Sequence, residues 1–104
     1  MKHVLFLILI CTAFHSFADD VAEGRLKADV ACALCHGAYG VAVLPNAPNL
    51  AGQQAIYLSE QLKNYRSGKR QSEVMSMIAK PLTDPEIAQL AAWFSSIKVT
   101  VEVP

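Results

Sequence analysis

Apolar and polar positions change rhythm several times along the chain, and each change marks an element. Val4 to Ile10 is an unbroken apolar run behind a basic start at Lys2 and His3, and Ser16-Phe17-Ala18 follows with small residues. From about Val21 to Ala33 the pattern is helical, with Val21, Leu26, Val30 and several alanines, interrupted by Gly24. Gly24 lowers helix propensity, so it is expected at a close helix–helix crossing. Residues 37–52 are punctuated by Gly37, Gly40, Pro45, Pro48 and Gly52 and read as loop. A second helix is predicted from Gln53 to Ser67, where Leu58, Leu62 and Tyr65 recur at helical spacing and Gly68 ends the run. Val74 to Ile78 is read as a loop that carries Met75 and Met77. The last helix has the clearest start. Thr83-Asp84-Pro85-Glu86 is a capping box, and Ile87, Leu90, Ala91, Phe94 and Ile97 line one face behind it. Val99 to Pro104 alternates valine with polar residues but has no partner to pair with, so it is read as a tail.

The amino-terminal pattern predicts a secretory signal over residues 1–18, cleaved before Asp19. Its apolar part is too short to span a bilayer comfortably. Cys11 would be discarded with it, since Ile10 is not the small residue a lipoprotein site needs. The remaining 86 residues, 19–104, allow one domain. Loss of Lys2 leaves eight basic side chains against nine acidic ones. That balance gives no support for a nucleic-acid reading. A core this small gains from an internal prosthetic group.

Residues 32–36 read Cys-Ala-Leu-Cys-His, the C-x-x-C-H signature of covalent haem attachment. Each thiol can add to one haem vinyl group, and the adjacent His36 is placed to be the proximal iron ligand. A redox disulfide would need a βαβ context, and a zinc site would need four ligands; neither is present. The second axial ligand must come from elsewhere. The expected mature chain has no other histidine, but Met75 and Met77 stand before the last helix. A thioether opposite imidazole raises the reduction potential. Spacing alone does not choose between them.

Several segments in order then carry a family resemblance. They are Cys32 to Gly37, Pro48-Asn49-Leu50-Ala51-Gly52-Gln53, Tyr57 through Gln61-Leu62 to Gly68, and Met75 through Leu82-Thr83-Asp84 to Ala91-Ala92-Trp93-Phe94. Together they resemble class I cytochrome c, in particular the short bacterial single-haem branch related to tandem two-haem proteins. The resemblance implies an all-α fold of three to four helices wrapped around one haem c, held through Cys32 and Cys35. It implies His36 as proximal ligand, Pro48 offering its carbonyl to the other ring nitrogen, and Met75 as the sixth ligand with Met77 as runner-up. It also implies that the first and last helices cross near Gly24, with Trp93 or Phe94 packed there.

The function expected is a periplasmic electron carrier, not an enzyme, shuttling single electrons between redox proteins. A dehydrogenase or membrane complex would be the donor, and an oxidase or reductase the acceptor. The alternative is a haem subunit of a periplasmic dehydrogenase complex, for which the apolar stretch from Tyr39 to Leu44 would be the contact. Lys63, Arg66, Lys69 and Arg70 form a basic group that either steers an acidic partner or is a solvated helix end.

Overall fold

The structure, a computed structural model, describes residues 10–14 and 16–104. The expected signal over residues 1–18 therefore lies in large part outside the described residues. Five helices follow one another: α1 (Phe17–Ala31), α2 (Ala33–His36), α3 (Ala55–Ser67), α4 (Glu73–Ala79) and α5 (Asp84–Ser96). No strand occurs among the described residues, and Val99, Val101 and Val103 stay exposed in an irregular tail.

The start of α1 lies upstream of the predicted Val21. Ser16 caps it, and Asp19 reaches back to complete a capping box. Of the helix's residues, Gly24 and Ala28 are buried and Val21 packs on the core edge, whereas Leu26 is exposed and Val30 borders the cleft described below. Small residues four apart let α1 lie directly on α5. A Cβ added at Gly24 would sit 1.9 Å from the carbonyl oxygen of Gln89 and 3.0 Å from Cβ of Trp93. Gly24 is thus the crossing point, and Trp93 is the residue packed there.

Helix α5 begins as its capping box dictates. Thr83 accepts the Glu86 backbone N–H, and Glu86 accepts the Thr83 backbone N–H in return. Its apolar face supplies most of the core: Ile87, Leu90, Ala91, Trp93 and Phe94 are buried. Leu58 comes in from α3, with Leu62 and Tyr65 packed beside it. Two ion pairs tie neighbouring elements to the start of α5. Lys27 of α1 lies 2.5 Å from Glu86, and Arg66 of α3 lies 2.6 Å from Asp84.

The segment from Val74 to Ile78, expected as loop, is helix α4. Ser72 caps it by accepting the Met75 N–H, and its own N–H donates to the Ser76 hydroxyl. The polar cap, not the apolar residues after it, starts the turn. Both methionines therefore sit on a helix.

Candidate haem site

The C-x-x-C-H segment enters the fold at the end of α1 and closes as the single turn α2. Backbone N–H groups of Cys35 and His36 both donate to the Cys32 carbonyl. This turn brings Cys32, Cys35 and His36 to one side of the chain. Gly37, with φ of +77°, ends it. That conformation is costly for a residue with a Cβ, and a Cβ there would lie 2.0 Å from the Val41 oxygen.

The loop that follows folds back over α2. Val43 N–H donates to the Cys35 carbonyl, Leu50 and Ala51 N–H donate to Gly40, and Gly52 N–H donates to Phe94 of α5. The Asn49 side-chain oxygen accepts the Ala42 N–H at 2.8 Å. These bonds hold the next residue back, Pro48, with its carbonyl oxygen 2.8 Å from Nδ1 of His36. A carbonyl only accepts, so Nδ1 carries a proton, which in the neutral ring leaves Nε2 as the nitrogen able to ligate a metal. The imidazole is buried and fixed in the tautomer a metal ligand needs.

Beside it lies a cleft of about 500 Å³. Cys32, Cys35, His36 and Pro48 line it together with Met75 and Ile78 of α4. A small cavity of about 40 Å³, lined by Leu50, Leu58, Leu62, Leu90 and Phe94, shares Cys32, His36, Met75 and Ile78 with this cleft. Met75 and Met77 are two positions apart on α4 and so face different ways. Met75 lines both cavities, whereas Met77 lines neither and is 67 % exposed. A larger open groove of about 640 Å³ between α1, α3 and α5 has no cysteine, histidine or methionine in its walls.

Burial pushes the Cys32 thiol up to about 11, offset in part by the Lys27 ammonium. Among the described residues no group of three His, Cys, Asp or Glu side chains could hold a metal ion. The donor set fits haem: two thiols one turn apart, one imidazole, one thioether and walls that are otherwise mostly apolar, with Asn46 and Ser72 the polar exceptions.

Sequence reasoning named the two thiols, the imidazole, the Pro48 carbonyl and the Met75 thioether, but not Asn46 or Ser72, which also line this cleft. It missed the apolar walls, Ala31, Leu50, Ile78 and Phe94, because nothing in their spacing distinguishes them from ordinary core. It also missed how Asn49 pins the Pro48 loop. The Tyr39–Leu44 stretch divides. Leu44 lines the cleft, but Tyr39 lies against Trp93 with ring centroids 6.2 Å apart, and the Arg25 guanidinium sits over both rings. The basic group divides too. Arg66 is bound to Asp84 and the Leu82 carbonyl, and Arg70 lies over Tyr65 and bonds Gln61, while Lys63 and Lys69 border the larger groove.

Comparison with known proteins agrees with this geometry. The family described as cytochrome c matches residues 21–98. Cytochrome c4 of Pseudomonas aeruginosa is 41 % identical over 97 residues, covering 93 % of this chain and 48 % of that protein. A protein of Thiomonas intermedia named thiosulfate dehydrogenase electron acceptor is 39 % identical over 99 residues, covering 94 % of this chain and 45 % of the relative. The solved cytochrome c4 of Acidithiobacillus ferrooxidans superposes with a TM-score of 0.71 at 32 % identity, covering 75 % of this chain and 49 % of the other. The chain spans about half the length of each of these three. Helix order, cleft and motif together with these matches place the chain in the cytochrome c family, with the class I fold and haem c as its cofactor.

Proposed function

We propose that the chain is an electron carrier whose iron is held between His36 and Met75. The observation that carries this reading is the pairing of the two donors across one cleft. His36 is locked by Pro48 with Nε2 free, and Met75 faces the same space from α4. Bound haem would supply a one-electron couple, and His36 and Met75 would hold its iron with two strong donors, leaving no open position for substrate chemistry.

The chain's own residues supply the rest. Cys32 and Cys35 fix the group covalently. The Pro48 carbonyl makes His36 a better donor. The apolar walls formed by Leu50, Leu58, Leu62 and Phe94 exclude water, which favours the less charged state of the site. The backbone bonds from the loop to Cys35 and Phe94 hold both ligand-bearing segments in place, so little rearrangement accompanies a change of charge.

Residues 1–18 serve as an export signal in this reading, and the mature protein works in the periplasm. No described helix is long and apolar enough to cross a membrane. The partners are redox proteins. A relative named as the electron acceptor of a thiosulfate dehydrogenase supports a dehydrogenase as donor. The test is a ligand-binding spectrum of the reduced holoprotein. An iron held by His36 and Met75 leaves the spectrum unchanged under carbon monoxide. Rapid, stoichiometric formation of a carbon monoxide complex overturns the carrier reading and indicates an open site.

A further inference from the structure

The hydrogen bond that fixes His36 depends on a carbonyl at the protein surface. His36 is 7 % exposed, whereas Pro48 and Asn49 are both exposed. Water can therefore take the Nδ1 proton whenever that carbonyl turns away. Its direction is the direction of the peptide unit between Pro48 and Asn49. On one side the Pro48 ring fixes its own φ and restricts Ala47 to extended backbone. Rotation about the far side of Pro48 and into Asn49 is left free by the ring. There Asn49 supplies the restraint. Its side-chain oxygen accepts the Ala42 N–H at 2.8 Å, and the next residue, Leu50, donates its N–H to Gly40 at 2.7 Å. Ala42 in turn precedes Val43, whose N–H donates to the Cys35 carbonyl at 3.1 Å. One side chain thus joins the carbonyl that grips His36 to the limb of the loop bonded to α2.

We propose that Asn49 is a positioning residue for the axial histidine: by holding Ala42 it aims the Pro48 carbonyl at Nδ1 of His36, and so sets how strongly Nε2 donates to iron. The inference rests on the reading of His36 as an iron ligand. Asn49 lines neither the cleft nor the small cavity, so its effect on the site passes through Pro48 and His36. An amide suits the task. Its short side chain has little rotational freedom to lose, and its oxygen accepts the bond without adding a charge beside a site whose own charge changes. A hydrogen bond from Nδ1 to a carbonyl makes the imidazole more basic. A more basic ligand favours the ferric state, so the clamp holds the reduction potential down.

Proton NMR of the reduced haem-loaded chain tests it, alongside the reduction potential. Asn49→Leu keeps the bulk of the side chain and removes the acceptor. The expected result is that the His36 Nδ1 proton exchanges with solvent about tenfold faster or more, as one hydrogen bond's loss allows. Its resonance moves upfield and the potential rises. Asn49→Asp keeps an oxygen at the same atom and restores both the slow exchange and the resonance. Asn49→Ala repeats the leucine result and serves if that variant takes up no haem. A merely structural residue would lower the unfolding midpoint and leave the His36 proton and the potential where they were, and that outcome overturns the proposal. So does an aspartate variant that exchanges as fast as the leucine one. Failure of the underlying ligand reading looks different: the Nδ1 proton of the unaltered protein would then lack the ring-current shift of a haem ligand, and both readings would fall together.

Discussion

Met75 and Met77 stand two positions apart on α4, and only Met75 faces the cleft that holds His36. The two side chains are chemically identical, so helical geometry alone separates their roles. Met75→Ala is expected to abolish the weak sulfur-to-iron band at the red end of the ferric spectrum. It should also lower the reduction potential and open the reduced iron to carbon monoxide. Met77→Ala should leave all three unchanged. Because Met77 is largely exposed, its loss should alter stability by no more than about 0.5 kcal/mol. Exchange of the two phenotypes would reassign the ligand and leave the fold intact.

Covalent attachment is expected at both thiols of α2. The exported protein should retain haem through acid–acetone extraction, and its mass should correspond to the chain from Asp19 plus one haem. Cys32→Ser and Cys35→Ser should each remove one thioether bond. A haem-free mass with an oxidised Cys32–Cys35 pair, from cells with working attachment machinery, would contradict this.

Gly24 is the position where a single carbon should disturb the whole fold. Its absent side chain is what allows α1 to lie on the Gln89 carbonyl. Gly24→Ala raises helix propensity by roughly 1 kcal/mol. The forced separation of α1 from α5 costs about 1–3 kcal/mol or more, as overpacking does. The clash involves backbone, not a flexible side-chain end, so the second effect should win. Denaturant unfolding of the holoprotein should show a lower midpoint for Gly24→Ala. A higher midpoint would mean that the two helices can separate without loss.

Acid should weaken the start of α5. The Lys27 ammonium, and after it the Thr83 backbone and hydroxyl, hold the Glu86 carboxyl at about 2 against an ordinary 4.5. Arg66 lowers Asp84 in the same direction by its hydrogen bond. Both groups bind protons more weakly when folded. Their contribution is therefore complete above the ordinary carboxylate range and is lost as pH falls toward 2. Thermal melts should show the midpoint dropping across that window. Glu86→Gln should lower the midpoint at neutral pH and flatten the drop. An unchanged acid profile in that variant would show that the Lys27 pair does not couple to folding.

The chemistry of this chain lies in short runs and is legible without a fold. C-x-x-C-H places two thiols and an imidazole within one turn whatever surrounds them. The Thr83–Glu86 capping box starts α5 by bonds among four neighbouring residues. The buried face of α5 follows from periodicity alone, because an apolar stripe on a helix has only one way to leave water. Tertiary structure decided what depends on distant neighbours. The face of α1 that meets α5 runs through Gly24 and Ala28, because α5 comes close enough to exclude larger side chains. The choice between Met75 and Met77 required the Ser72 cap, which turns their segment into a helix and sets one of them toward His36. Arg66 and Arg70 read as surface charge in the sequence, yet the fold brings Asp84, the Leu82 carbonyl and the Tyr65 ring within their reach. Local hydrogen bonding and composition act over a few residues and can be read along the chain. Packing distance and the direction of a side chain belong to pairs of elements, and exist only once those elements meet.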